Sequence, residues 1–598
     1  MFHLIGAVAP LSWNWGFHHF GFLRVVFVVI GLLLMTSSLV PSIQQKIIHQ
    51  LEKVIQRFNE LSKFQKRSIL SISSFLFASI CWFAREKIYL LGDGYLMLRI
   101  LPTLQSASDQ YFAYNEPLPF FVVWKLWQLM HIFNSSITPE IPFIIISILS
   151  GLISAFILWS ISKAITSDSV DRLLLFFFFF VSGGAQLFFG YVENYPLVYV
   201  FMLLFLWSSI LFIHNKIDLI VPSIIYGFLF VSHFGMLIFA PTLIILYYHS
   251  FKTAKKEEVL ASFGTIIITT AVLLWLCGYS FKTFTDHLLQ NSNRFIQIIS
   301  DDGYRLFSWG HLINLINMQV LISPFALIII IISLFTLSKQ IFKKDGTILF
   351  LMISAASGII FTAIFNFRIG MSRDWDLIAP FMLGIVISAG YAWNKIQLEQ
   401  AAKRKLFIMM IVISIIHTVS WISVNANEKM SLKRIETLSD SRLWSKESML
   451  SGYEELAIYY RGLMDGENSI KYYKKYIQLD SSNTRILQSI AHIYFLTNNR
   501  EEEIRFLEKA VTEGTNNWDL FQKLGGANYK LQRYANAVSY YLRAISLDLN
   551  NPDAYLGAGL SFRAMNDNDN MKKYLDIYLR MNPDAPDKLA IQKLIQKN

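Results

Sequence analysis

Runs of about twenty apolar residues, the length that crosses the hydrocarbon of a bilayer as a helix, recur through the first 425 positions of this chain. "IPFIIISILSGLISAFILWSISKAI" and "FALIIIIISLFTL" are two of them. The 598 residues are 54% hydrophobic and 16% charged, with 49 Phe, a balance that a water-soluble domain does not carry. The expected fold is all-α: a polytopic membrane bundle of about 12 spans, at 20–41, 69–88, 141–163, 173–190, 195–214, 217–233, 235–250, 259–279, 319–338, 347–366, 376–394 and 406–424. Composition changes at Asn425. Beyond it lie 24 Lys and Arg against 22 Asp and Glu, with no long apolar run. Residues 1–424 are therefore read as the membrane domain, 425–448 as a linker and 449–598 as a second, soluble domain.

Charge sets the expected topology. The loop "QQKIIHQLEKVIQRFNELSKFQKR" carries six Lys and Arg against two Glu and is assigned to the cytoplasmic side. Alternating spans then put "FKTAKKEE", "KQIFKK" and "AAKRK" on that side too. The net charge of +11 is explained by these loops and does not point to nucleic acid. "PLPFFVVWKLWQLMHIF", Pro117–Phe133, is taken as a helix in the outer interface, because Lys125 stands mid-segment between Trp124 and Trp127. The outer face then holds the loop 89–140, the turn "GYVENYP", the long loop 280–318, the turn "NFRIGMSRDWDL" and the C-terminal domain. Cys81 and Cys277 both lie in apolar helices, which supports no disulfide framework or zinc site. The N-terminus lacks a basic segment followed by a small-residue cleavage site, so no removed signal peptide is expected.

The C-terminal domain has a period of 34 residues when cut at 449, 483, 517 and 551. The third copy carries Leu524-Gly525, Ala537, Tyr541 and Ala544; the fourth Tyr555, Gly559, Phe562, Tyr578 and Pro583. The second has Ala491, Tyr494, Leu507 and Ala510, and the first, the weakest, Tyr453, Ala457, Tyr460 and Tyr473. This pattern resembles the tetratricopeptide repeat, whose stacked helix pairs form a solenoid with a concave binding surface.

Acids beside a membrane are costly unless they perform a task. Asp93 lies between two glycines in "LLGDGYLMLRILP"; Glu116 precedes "PLP"; Glu193 sits in "FFGYVENYPLVY"; Asp374 and Asp376 flank Trp375, close to Arg368 and Arg373. A carboxylate can take the proton from an acceptor hydroxyl, and an arginine can neutralise a departing phosphate. His233, His287 and His311 are further candidates on the same side.

The order of these features resembles the GT-C superfamily of polytopic glycosyltransferases, in particular the protein O-mannosyltransferase and aminoarabinose-transferase branch, over about residues 65–235. Those enzymes take a sugar from a polyprenyl-phosphate donor on the outer or lumenal side. The resemblance implies that Asp93 is the catalytic aspartate of the first loop. It matches Glu116 to the acid of the branch's Glu-x-Pro-Pro-Leu segment, with one residue fewer before the proline. It matches Glu193 to the acid of the later turn, where the branch has aspartate after arginine and this chain has Tyr191 and Val192. The branch's first-loop Asp-Glu pair is Asp93-Gly94 here. Arg99, Arg368, Arg373 and His233 are assigned to the donor phosphate, and Asp374 and Asp376 are additional outer acids. No cofactor is required on this reading, although the carboxylates leave room for Mg²⁺ or Mn²⁺. Membrane domains of this kind joined to tetratricopeptide repeats resemble a group of mannosyltransferases, with the repeats recruiting a protein or glycan acceptor. The Ile, Lys and Asn-rich usage and the absence of targeting signals lean towards a bacterial inner membrane with the repeats on the periplasmic side, and an organelle lumen stays open as the outer side. The competing reading is a non-enzymatic scaffold or export factor whose repeats bind a partner protein.

Overall fold

The computed structural model describes residues 2–106, 115–253, 256–280, 282, 285, 295–296, 303–337, 344–439, 443–514 and 516–597. The chain divides into two compact units, Met1–Ser448 and Met449–Asn598. Both are all-α: among the described residues the only β-type pairing is an isolated bridge between Phe295 and Phe365.

In the first unit six helices are long and apolar enough to cross a membrane: Glu140–Ile165, Tyr195–Ile213, Phe234–Lys252, Glu257–Leu276, Gly346–Ile364 and Gln400–Asn425. Three bent pairs raise the number to nine among the described residues. Several of the expected spans change shape for identifiable reasons. The segment expected at 319–338 is two helices, Trp309–Ile322 and Ala326–Thr336, bent by 96°. Ser323 is extended there, as the residue before Pro324 must be to avoid a clash with the proline ring. The same break puts the first of the two helices inside what the sequence reads as the outer loop 280–318. The segment 20–41 ends as a helix at Ser37 and turns by 87° into Pro41–Glu60. The segment 376–394 bends by 43° between Phe381 and Leu383, next to Pro380. The segment 173–190 is helical from Ser169 to Phe180 and then tightens into a 3₁₀ turn at Gly183–Phe188.

Within the stretch 425–448 lies the helix Glu428–Ser439, which belongs to the first unit and buries Arg434, and Trp444 closes over Gly370. Arg434 stacks on Trp421 at 4.3 Å and its Nε donates to His18 Nε2 at 3.0 Å. The N-terminal segment is packed into the same region. His3 Nε2 lies 2.9 Å from His417 Nδ1, and Trp15 donates to Asn314 Oδ1 at 2.9 Å.

The second unit repeats one device. Helix pairs 446–462/466–479, 484–496/500–512, 518–530/534–547 and 552–564/568–581 are followed by a last helix, Lys588–Lys597. A left-handed residue reverses the chain within each pair at Met464, Asn498, Gln532 and Asn566, each 34 positions after the one before. Asn483, Asn517 and Asn551 cap the first helix of the following copies, each accepting a backbone N–H with its side chain. Small residues let the pairs close: a Cβ on Gly525 would stand 2.9 Å from the Tyr541 ring, and one on Gly559 2.6 Å from Leu575.

Candidate functional site

The site begins with a glycine in the left-handed region. Gly92 has φ +76°, and a Cβ there would meet Glu193 Oε1 at 2.7 Å and Asp376 Oδ2 at 2.8 Å. The first loop, the turn "GYVENYP" and the "SRDWDL" segment thus come together at one point. The backbone N–H of Asp93 donates to Glu193 Oε1, and the N–H of Asn194 to Glu193 Oε2 at 3.3 Å. Arg373 reaches across from the third segment, its Nε donating to Leu90 O at 3.0 Å. The Tyr191 hydroxyl donates to Leu91 O at 3.1 Å, and its ring packs edge-on against Trp375 at 5.2 Å.

Asp93, Glu116 and Asp374 all stand at the N-cap of a helix, and none of the three side chains makes the capping bond. Asp93 is exposed, Asp374 half-buried, and Glu116, Glu193 and Asp376 buried. Neither carboxylate oxygen of Asp376 finds a partner in hydrogen-bond geometry, though the Tyr191 hydroxyl is close enough to act on its charge.

Burial pushes the Glu193 carboxyl well above the usual range, with Asp376 and Asp93 adding to the rise and the Asp93 N–H opposing it. Asp374 is raised in the same way, by burial and then by Asp376 and Asp93, against Arg373. Glu116 holds a separate contact: its Oε1 is 3.2 Å from His233 Nε2 and accepts from the Tyr195 hydroxyl at 3.4 Å. Because Gly235 N–H donates to His233 Nδ1 at 2.9 Å, the neutral ring carries its proton on Nε2, toward Glu116.

Of the residues singled out in the sequence, the structure gathers Asp93, Glu193, Arg373, Asp374 and Asp376, with the Glu116–His233 pair close enough to act on their charges. Arg99 is exposed, on the face of the helix Gly94–Ile100 opposite the buried Gly94 and Met97. Arg368 is exposed and pairs with Glu447 at 3.6 Å. His311 is buried, with Nε2 2.8 Å from Ala363 O, and His287 lies outside the described residues. Among the described residues no three His, Cys, Asp or Glu side chains are arranged to hold a metal ion.

Sequence reasoning missed Glu86. It is 2% exposed, Oε1 has no hydrogen-bond partner, and burial with the charge of Asp376 raises its carboxyl well above the ordinary value. It sits seven residues before Asp93 and its N–H donates to Phe189 O at 3.0 Å, which ties the first loop to the turn that carries Glu193.

The first unit also holds an apolar groove of about 690 Å³, lined by Leu32, Met35, Leu315, Ile316, Phe325 and Ile413 among others. Thr362 and Ala363 form part of its wall. The next residue back, Phe361, stacks on Phe381 at 3.7 Å and meets the His233 ring edge-on at 6.4 Å.

In the second unit a family model for the tetratricopeptide repeat matches residues 484–513 and 519–551. The C-terminal unit carries tetratricopeptide repeats. The matched copies are the second and third helix pairs, and the pairs before and after them share the same left-handed turn position and spacing. Solved structures align with the chain as well. A MamA crystal structure is 25% identical, with a TM-score of 0.22, over 22% of this chain and 73% of that one. The first tetratricopeptide domain of Spaghetti (RPAP3), bound to an HSP90 peptide, is 22% identical, with a TM-score of 0.19, over 20% and 94%. YrrB, described as a tetratricopeptide protein with an unusual peptide-binding site, is 22% identical, with a TM-score of 0.18, over 24% and 91%. No curated protein matches the chain.

Proposed function

We propose that the first unit is a membrane glycosyltransferase that moves a sugar from a polyprenyl-phosphate donor to an acceptor hydroxyl, while the repeats recruit the acceptor or a partner protein. The observation that carries this reading is the meeting of Glu193, Asp376 and the Asp93 backbone around Gly92, from segments far apart in sequence. Five carboxylates near one arginine are costly to assemble, and a fold keeps such an arrangement where charge must be moved.

In the proposed step Asp93, the exposed acid at the rim, takes the proton of the acceptor hydroxyl as its oxygen attacks the anomeric carbon. The bond from that carbon to the phosphate oxygen breaks, and polyprenyl phosphate leaves with the electron pair. Glu193 holds the Asp93 backbone, Glu116 and His233 orient the acceptor side, and Arg373 offsets the charge developing on the phosphate. Arg99 and Arg368 meet the donor phosphate as it approaches from outside. The apolar groove takes the prenyl chain, which accounts for its lining. The reading counts the shorter and bent helices as crossings too, about 12 in all, in a bacterial inner membrane with the acids and the repeats on the periplasmic side.

The repeats also favour a second reading, a scaffold that binds a partner protein without catalysis. A panel of radiolabelled polyprenyl-phosphate sugars, supplied to membranes that contain the full chain, separates the two. Label transferred from one donor to a protein or glycan supports the enzyme. No transfer from any donor, together with a partner retained by the repeats, supports the scaffold.

A further inference from the structure

The helix Pro41–Glu60 leaves the apolar helix Val25–Ser37 at 87°, so that it runs across the end of that helix rather than along it. Proline in its first turn and the extended Val40 before it fix the start. Gln44 is buried and donates from Nε2 to Ser38 O at 2.7 Å, which clamps the bend. Ile48 is buried as well, so the edge carrying these two residues faces the protein.

The cations of this helix cluster on one side. Glu52, on the protein side, lies 3.7 Å from Arg404, which also holds Asp168 at 2.7 Å and Asp171 at 2.8 Å. Lys46, Lys53 and Arg57 are exposed, and among the described residues none of them has an ion-pair partner. At 100° per residue the three fall within about 40° of arc, and Ile43, Ile47 and Val54 form the adjacent strip. Val54 is 59% exposed, an apolar side chain left uncovered beside three cations. Lys63 and Arg67 continue the exposed basic line into the next helix, Lys63–Phe83.

We infer that Pro41–Glu60 lies along the membrane surface, with Val54 and its neighbours in the interface and Lys46, Lys53 and Arg57 on anionic phospholipid headgroups. A helix whose apolar strip is flanked by long cationic side chains has this placement as its low-energy position, since the aliphatic stems lie on the lipid and the charges stay at the phosphates. Arg404 draws Glu52 to the protein-facing edge, while Glu60, exposed at the last position of the helix and bonded to Gln56, is the one carboxylate beside the three cations, so the outer edge keeps a positive excess toward the anionic surface. This inference rests on the reading of the first unit as membrane-spanning and is independent of any transferase activity.

The test uses the full chain in nanodiscs of phosphatidylcholine with or without phosphatidylglycerol. A fluorophore is attached at Val54→Cys; Cys81 and Cys277 are buried and do not compete for it. Quenching is read with headgroup-spin-labelled lipid of each type. The expected result is several-fold stronger quenching by phosphatidylglycerol than by phosphatidylcholine, a preference that is lost in Lys46→Gln/Lys53→Gln/Arg57→Gln and in high salt. Equal quenching by the two lipids, or a preference that survives the triple substitution, overturns it. A second label at Leu260→Cys, 79% exposed on the apolar helix Glu257–Leu276, is quenched by any acyl-chain-labelled lipid if that helix lies in the bilayer. Quenching at Leu260→Cys without any at Val54→Cys overturns the placement of the surface helix alone, and none at either position overturns the membrane reading beneath it.

Discussion

The backbone N–H of Asp93 donates to a carboxylate oxygen of Glu193, 100 positions further along the chain. That bond fixes the exposed acid of the first loop against the buried acid of the later turn, and Gly92 beside it leaves no room for a side chain between Glu193 and Asp376.

Gly92→Ala is expected to break this arrangement twice over, through its φ of +76° and through the contacts its methyl group makes with two carboxylate oxygens. A non-glycine residue held in such a conformation costs about 1–3 kcal/mol. The variant should melt several degrees below the wild type in detergent and lose transfer activity. A melting temperature equal to the wild type would show that the close approach at Gly92 does not exist.

Glu193→Gln is expected to make the first unit less sensitive to high pH. Burial and the neighbouring acids raise the Glu193 carboxyl, so the native state keeps a proton that the unfolded chain releases in the ordinary carboxylate range. The stability this proton provides is full at low pH. It declines as pH rises from about 4.3 towards the raised value, by about 1.4 kcal/mol for each pH step of one across that interval. The melting temperature of the variant relative to the wild type should therefore climb between pH 5 and pH 8. Glu86→Gln should behave alike, because Glu86 is raised by burial and by Asp376. A difference that stays flat with pH would mean that these acids are hydrated and ionised.

The N-terminal histidines act in the opposite sense. Burial, and then His417, lower His3 to about 3, while burial and Arg434 lower His18 and His19. Each is neutral in the folded state, so the stability tied to it is intact above about 6.5 and declines as pH falls below that, for His3 towards about 3. His3→Gln, which does not titrate, should gain on the wild type as pH falls from 7.5 to 5, as read from melting temperatures in one detergent. No gain would show that the His3–His417 contact is absent in solution.

In the repeats Gly557 lies under the Tyr541 ring, where a Cβ would come within 2.3 Å of it. Gly557→Val overpacks that contact, at a cost of about 1–3 kcal/mol. Partial proteolysis of the full chain should cut the variant within residues 518–581 sooner than the wild type, and a double variant with Tyr541→Ala should recover part of the loss. Cleavage at the wild-type rate would contradict the packing.

The parts of the fold that were legible were those written in hydropathy and period. Asn483, Asn517 and Asn551 fall at the boundaries chosen from the 34-residue repeat, because a capping side chain is needed wherever a helix starts. Asp93, Glu193 and the pair around Trp375 stood out because acids between apolar runs are expensive, though nothing in the sequence said that they meet. Pro324 held the signal for the broken helix, but a run as apolar as "FALIIIIISLFTL" masks it when hydropathy alone is read. Glu86 was passed over because it fell inside the stretch 69–88 read as a span, whereas the helix ends at Phe83 and leaves Glu86 in the chain that follows it. The helix Glu428–Ser439 looked like a linker because its polar residues are matched by tertiary partners, Arg434 by His18 and the Trp421 ring, which no local pattern reveals.

The central claim is that Asp93 is the base of a sugar-transfer reaction, and its most direct test is label transfer from the active polyprenyl-phosphate sugar by Asp93→Asn in membranes, at matched protein level and beside Arg368→Ala. Loss of a positioned general base costs about 10²–10⁴-fold in rate, so the account predicts transfer at or below a hundredth of the wild-type rate for Asp93→Asn, and a far smaller loss for the exposed Arg368→Ala. Transfer by Asp93→Asn at the wild-type rate would contradict it and remove Asp93 from the chemistry.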